Sequence, residues 1–205
     1  MGNITNENSI CEWSKMKKIN ILPDDKRIFL FFISMGVIFI LPLIIANSYY
    51  WDDYRRVLSG DYGWEEDGRP LADLFIFLLT QSITNLDIAP LPLLLSVVVL
   101  AIAAVIITKN LFPREAVVQK CILATPILVN PLFLNNLTFR FECWIMSLAQ
   151  LFAVCAALLY RNFGWKGKVC RVFFLIILLA TYQASLNFYI ALCFLVLVLN
   201  IMRVG

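Results

Sequence analysis

The stretch from Ile88 to Thr108, IAPLPLLLSVVVLAIAAVIIT, decides the class of fold that this chain adopts. It runs for 21 residues without a charged side chain, and a helix needs about 20 apolar residues to cross the hydrocarbon core of a bilayer. Backbone polar groups in lipid must be satisfied inside a helix or a closed barrel. The stretch is therefore predicted to be a transmembrane helix.

Other charge-free runs predict further spans on both sides of it. Single spans are predicted at residues 28–51, 121–139 and 143–160. The run 172–202 would be roughly 46 Å long as one helix at about 1.5 Å per residue, and polar residues interrupt its middle, namely Thr181, Gln183, Ser185 and Asn187. Two short spans hinged there, or a broken helix, are favoured over a single tilted helix. The predicted fold is all-α: a polytopic integral membrane protein with five to six transmembrane helices.

The composition agrees with a membrane protein and excludes several classes of function. Of the 205 residues, 61% are hydrophobic and only 15% are charged, whereas soluble domains have about 25% charged residues. The chain has no histidine, which excludes Ser-His-Asp catalysis and His-ligated zinc. A net charge of +3 spread along the chain gives no electrostatic footprint for nucleic acid.

Charge placement predicts the orientation. Placing the N-terminus in the cytoplasm puts all but four of the 17 Lys and Arg residues inside, as the positive-inside rule requires. Residues 1–27 are then a cytoplasmic tail and 28–205 a single transmembrane domain. Its first outside loop, 47–89, contains an amphipathic interfacial helix predicted at about 71–84, with Asp73, Thr80 and Thr84 on one side.

The first outside loop is denser in functional side chains than a connecting loop needs. Residues 49–69 contain six acidic residues, three arginines and six aromatic residues. Carboxylates can act as general bases, and arginine suits phosphate. Aromatic rings can cover the apolar faces of sugars. The alternative is a solvated acidic face with interfacial aromatic residues. The carboxylate pair Asp52 and Asp53 directly follows the predicted first span, where a lipid-linked phosphate would lie. The pair could also hold a divalent cation, and no other cofactor is expected.

Several motifs, in order, resemble the phage-type O-antigen glucosyltransferases that convert bacterial serotype. They are Tyr50-Trp51-Asp52-Asp53-Tyr54-Arg55-Arg56, Gly63-Trp64, Gly68-Arg69-Pro70-Leu71-Ala72-Asp73, Asp87-Ile88-Ala89-Pro90-Leu91-Pro92 and Tyr182-Gln183-Ala184-Ser185-Leu186-Asn187. The resemblance implies a GT-C-like fold in the bacterial inner membrane. It implies transfer of glucose from a polyprenyl-phosphate-glucose donor to lipid-linked O-antigen on the periplasmic side, with an acidic base from the first outside loop and short helices lying along the membrane. Family members are usually about twice as long, so a truncated chain is expected.

These observations give each candidate residue a hypothetical role. Asp52 or Asp53 is the base of an inverting single displacement. Arg55, Arg56 and Arg69 meet the donor phosphate, and Trp51, Tyr54, Tyr62 and Trp64 pack on the sugars. Residues that could join the site are Asp73, Arg140, Glu142, Gln183 and Asn187; for Gln183 and Asn187, polar contacts between helices are the alternative. The alternative functions are a non-catalytic membrane partner (a lipid-sugar flippase or an assembly subunit) and an inactive truncated transferase.

Overall fold

The computed structural model describes residues 23–159 and 164–204, and every regular element in these ranges is helical. Residues 1–22 of the predicted cytoplasmic tail lie outside the described residues. The helices are α1 (Pro23–Ala46), α2 (Trp51–Ser59), α3 (Pro70–Thr80), α4 (Leu91–Leu111), α5 (Val117–Ala124), α6 (Pro131–Leu137), α7 (Cys143–Val154), α8 (Gly164–Thr181) and α9 (Ser185–Val204). A 3₁₀ turn, Thr125–Ile127, follows α5, and a π-helical turn, Cys155–Leu159, extends α7.

Helix α4 lies at the centre of the bundle and packs closely against α1. A Cβ added to Gly36 of α1 would meet Val97 Cγ1 of α4 at 2.5 Å, so only glycine allows this approach. The large side chains Phe32 and Leu100 are completely buried in the same core. By contrast, most of the surfaces of α1 and α9 are exposed in the isolated chain, as expected for helices that face lipid.

Polar contacts show which helix ends lie together. Lys109 Nζ, at the end of α4, donates to Asp25 Oδ2 at the start of α1 (2.8 Å), and Arg203 of α9 donates to the carbonyl of Leu111. The other end of the bundle, here called the site end, holds residues 47–90, 138–142 and 182–184. Arg140 bonds Asn47 there, and Gln183 bonds Gly68.

The expectation of a helical membrane protein is confirmed, but a count of five to six spans is not. Within the described residues, α1, α4 and Ser185–Arg203 of α9 are long and apolar enough to cross a bilayer. A bent pair, Val117–Ile127 with Pro131–Leu137 at 63°, could make a fourth. The remaining candidates fall short for two reasons: Cys143–Leu159 is a shorter apolar helix, and α8 carries Lys166, Lys168 and Arg171.

Two predicted boundaries change for local reasons. Helix α1 ends at Ala46, because Asn47 adopts a left-handed conformation (φ 44°), so Asp52 and Asp53 do not directly follow the first span but lie in the separate helix α2. Helix α3 ends at Thr80, because Gln81 is left-handed (φ 51°). Thr84 is therefore outside the predicted amphipathic face. The long run 172–202 is broken at residues 182–184 between α8 and α9, as favoured.

Candidate functional site

The neighbouring carboxylates of α2 point in different directions, because successive side chains on a helix are about 100° apart. Asp53 is only 1% exposed. Its Oδ2 accepts the backbone N–H of Tyr50 (3.1 Å) and of Arg140 (2.9 Å). It thereby caps the start of α2 and ties it to the segment before α7. Asp52 is exposed, so only one member of the predicted pair is accessible to a substrate.

Burial raises the pKa of Asp53, and the two backbone hydrogen bonds oppose that shift. With 1% exposure and two backbone N–H groups bonded to its Oδ2, the carboxyl group is held in place and out of reach of a ligand. Asp53 has the geometry of a positioning residue.

Asp52 lies in a cleft of about 200 Å³, here called the charged cleft. Its lining residues are Asp52, Arg55, Arg56, Ser59, Asp61, Tyr62, Gly63, Glu66 and Asp67. Four carboxylates therefore face two guanidinium groups. The Arg55 side chain is exposed and forms no ion pair or hydrogen bond with any residue that the structure describes. The lining therefore has an excess of acidic groups, and Arg55 supplies its exposed guanidinium group.

Arg56 and Trp64 form the packed wall of this loop. The guanidinium carbon of Arg56 lies 4.1 Å from the centroid of the Trp64 ring, and its Nε donates to the carbonyl of Tyr62 (3.3 Å). Trp64 is 0% exposed, in a cluster with Ala72 and Ile76. Its ring has no free face for a sugar, so in this structure Trp64 organises the loop from within.

Asp73 also acts on the loop from within. Its Oδ1 and Oδ2 accept the backbone N–H groups of Trp64 (3.2 Å) and Glu65 (2.7 Å). These bonds attach the turn to the first part of α3. The half-buried Tyr62 bonds through its hydroxyl to the end of the same helix, at Thr80 and at the carbonyl of Ser82.

The half-buried Arg69 and the buried Glu142 form an ion pair between the loop and the start of α7. Arg69 Nη1 lies 3.1 Å from Glu142 Oε2, and its guanidinium carbon is 4.9 Å from the Tyr182 ring centroid. Burial raises the pKa of Glu142, while Arg69 and Arg56 oppose the shift. The pair therefore joins three segments of the site end.

Of the two candidate residues predicted near the break between α8 and α9, Gln183 contacts the loop that forms the site. Gln183 Nε2 donates to the carbonyl of Gly68 (2.8 Å), which holds the break against the loop. Asn187 is exposed in the first turn of α9.

A second network at the site end joins Arg140, which the sequence predicted as a candidate, to Asp87, which it did not. Arg140 Nε donates to both carboxylate oxygens of Asp87 at 2.8 Å, and Nη1 donates to Asn47 Oδ1 at 2.8 Å. The guanidinium carbon lies 4.7 Å from the Tyr49 ring centroid, and the Tyr49 hydroxyl donates to Asp87 (2.8 Å). Although partial burial acts in the opposite direction, hydrogen bonds led by Arg140 hold the pKa of Asp87 below its usual value.

Asp87 was missed as a site residue, although the sequence contains a signal for it. Arg140 is the one basic residue between Lys120 and Arg161, and a lone arginine between two apolar runs needs a partner. Asp87 is the acidic residue directly before another apolar run. Their pairing required the bundle to bring the starts of α4 and α7 together.

The exposed aromatic residues lie on a further face of α2. Trp51 is 86% exposed, and the exposed Tyr54 and Leu58 follow at helical spacing. Opposite them is the buried Asp53. These rings, unlike Trp64, are free to contact a sugar or a lipid.

A second cleft of about 190 Å³, here called the apolar cleft, lies between the ends of α1, α4 and α6. It is lined by Leu43, Ile44, Asn47, Ser48, Tyr49, Tyr50, Ala89, Pro90, Pro92, Leu93, Leu137, Thr138 and Arg140. Its walls are aliphatic, its rim is polar, and none of the lining residues is acidic. Among residues 23–159 and 164–204, no group of three or more Asp, Glu or Cys side chains is arranged to hold a metal ion.

Comparison with known proteins assigns the chain to a family. Residues 41–204 match the family described as glucosyl transferase GtrII. An uncharacterized 55.3 kDa protein in the gtrB 5′ region of Salmonella phage P22 is 31% identical over 165 residues. That alignment covers 80% of this chain and 34% of the phage protein, so the chain spans about a third of the relative's length. No solved structure matched. The predicted resemblance to phage-type glucosyltransferases is confirmed.

Proposed function

Because the chain belongs to the GtrII glucosyl transferase family, we propose that it takes part in glucosyl transfer to lipid-linked O-antigen in the bacterial inner membrane. The donor is polyprenyl-phosphate-glucose, and the site end faces the periplasm while the N-terminus is cytoplasmic. One observation carries the proposal: an exposed carboxylate, Asp52, shares the charged cleft with Arg55, whose guanidinium group is unpaired among the described residues.

The chemistry needs one base and one cation. An acceptor hydroxyl gives its proton to Asp52, and its oxygen attacks the anomeric carbon of the donor glucose. The bond from that carbon to the phosphate oxygen breaks, and the electron pair leaves with the polyprenyl phosphate. Arg55 meets the negative charge that grows on the phosphate. A single displacement inverts the configuration at the anomeric carbon.

The other predicted residues have supporting roles around Asp52 and Arg55. Trp51 and Tyr54 offer exposed rings on a further face of α2. Arg56 lines the cleft, but its guanidinium is stacked on Trp64. Arg69 is paired with Glu142. We therefore assign contact with the donor to Arg55 and give Arg56 and Arg69 positioning roles.

The test supplies purified wild-type protein in liposomes with labelled polyprenyl-phosphate-glucose and a lipid-linked saccharide. We expect labelled glucose to appear on the acceptor. Asp52→Asn should lose at least about a hundredfold in rate, the lower end of what a positioned general base contributes. Asp61→Asn, which removes another carboxylate from the same cleft, is the matched control and should retain most of the rate.

Two outcomes would contradict the proposal. One is movement of the intact donor across the bilayer without transfer, which would indicate a flippase. The other is equal transfer by Asp52→Asn and Asp61→Asn, which would remove Asp52 as the base.

A further inference from the structure

We propose that the apolar cleft binds the lipid anchor of the acceptor, a polyprenyl pyrophosphate, with the chain against its aliphatic walls and the pyrophosphate at Arg140. This inference rests on the proposed function, since that reaction joins two lipid-linked substrates at one membrane surface. Each of them needs a place for its prenyl chain and phosphate. The charged cleft supplies a place for the donor phosphate, and the apolar cleft supplies a place for a prenyl chain and a second phosphate.

The walls of the apolar cleft fit a hydrocarbon chain that enters from the bilayer. Ile44 of α1 and Leu93 of α4 face the cleft, and their neighbours Ile45 and Leu94 are exposed on the outer surface of the same helices. An apolar cavity of about 150 Å³ holds one benzene ring. A cleft of about 190 Å³ therefore has room for about one isoprene unit, while the rest of the chain stays in lipid.

The rim fits a phosphate group. Asp87, Asn47 and the Tyr49 ring fix the Arg140 guanidinium on three sides. Its Nη2 has no hydrogen-bond partner within the part of the chain that the structure describes, and the exposed Ser48 shares the rim. A fixed guanidinium loses little side-chain entropy when it binds an anion. The cleft thus offers a prepared donor above an apolar channel.

Charge and distance favour the acceptor over the donor as the occupant. The donor phosphate must lie beside the reacting carbon and a free base, whereas Asp87 beside the apolar cleft is already bonded to Arg140 and Tyr49. The acceptor's anchor, by contrast, is separated from the accepting hydroxyl by at least part of its saccharide. The charged cleft holds four carboxylates, which would repel a pyrophosphate more strongly than the singly charged donor phosphodiester.

The experiment measures lipid binding to the purified full chain by native mass spectrometry, without any transfer. The probes are a long-chain polyprenyl pyrophosphate and the matching polyprenyl monophosphate. Ile44→Trp fills the cleft, and Leu41→Trp, on an exposed position of the same helix, is its matched control. Arg140→Gln removes the cation, and Arg114→Gln, at an exposed position between α4 and α5 at the opposite end of the bundle, is the control for charge.

We expect Ile44→Trp and Arg140→Gln to weaken pyrophosphate binding about tenfold, as the loss of a charge-assisted contact would. Leu41→Trp and Arg114→Gln should leave it unchanged. Equal binding by Ile44→Trp and Leu41→Trp would overturn the proposal, whatever the folding of Arg140→Gln. Selective loss of the monophosphate from Ile44→Trp would overturn the assignment to the acceptor. Intact pyrophosphate binding without glucose transfer would refute the proposed function alone.

Discussion

Replacing Asp53 by alanine tests whether this carboxylate holds α2 in place. The change removes the acceptor of two backbone N–H groups, those of Tyr50 and Arg140. Each buried donor left unsatisfied costs about 1–3 kcal/mol. Water can reach the Tyr50 side, which leaves the Arg140 N–H unsatisfied, so we take about 2 kcal/mol, the middle of that range, as the loss in the free energy of unfolding. In a domain of this size that corresponds to a fall in Tm of about 4–8 °C.

The assay follows thermal unfolding in detergent with a thiol-reactive dye, since Cys143 is 0% exposed in the folded chain. Asp53→Asn keeps one acceptor oxygen and removes the cost of burying a charge, so its Tm should fall less than that of Asp53→Ala. Asp52→Asn alters only an exposed group at a helix start and should cost about 0.3–1 kcal/mol. If Asp53→Ala unfolds at the same temperature as Asp52→Asn, the capping role of Asp53 is refuted.

Three further changes test the packing and the loop. Gly36→Ala should lower the Tm, because the new Cβ meets Val97, and the double variant with Val97→Ala should recover part of the loss; no recovery would place the strain elsewhere. The raised pKa of Glu142 means that its stabilising contribution is present at low pH and is lost as pH rises through that pKa. The wild type should therefore lose Tm relative to Glu142→Gln as the pH rises above the ordinary glutamate pKa, and a gain would show that the ion pair dominates burial. Asp73→Ala frees two N–H groups of the Trp64 turn and should speed proteolysis there, which an unchanged digestion pattern would contradict.

The helical membrane fold could be predicted because it depends on local composition. The run at residues 88–108 became α4 within a few residues, and the polar string around Gln183 marked the break between α8 and α9. Boundaries set by single backbone conformations could not be predicted. The left-handed Asn47 separates α2 from α1, and the apolar run 28–51 does not indicate that the helix ends there. The number of spans depends on helix length and bending, which hydropathy alone does not determine.

The sequence predicted which loop forms the site, but it did not predict the separate roles of the residues in that loop. Sequence places Asp52 beside Asp53 and cannot say which is buried, because that depends on Arg140, 87 residues further on. The flat ring of Trp64 could pack against a sugar, yet Arg56 covers that ring. Such pairings between distant segments require the packed bundle.

The central claim is that the acidic, arginine-bearing end of the bundle faces away from the cytoplasm, where a lipid-linked sugar can reach Asp52. Cysteine labelling of intact cells with a membrane-impermeant maleimide tests it most directly, with Glu66→Cys at the charged cleft and Arg114→Cys between α4 and α5 as its matched position at the opposite end. We predict labelling of Glu66→Cys above the wild-type background in intact cells, and of Arg114→Cys only after the membrane is opened. The reverse pattern would put the charged cleft in the cytoplasm and contradict the account.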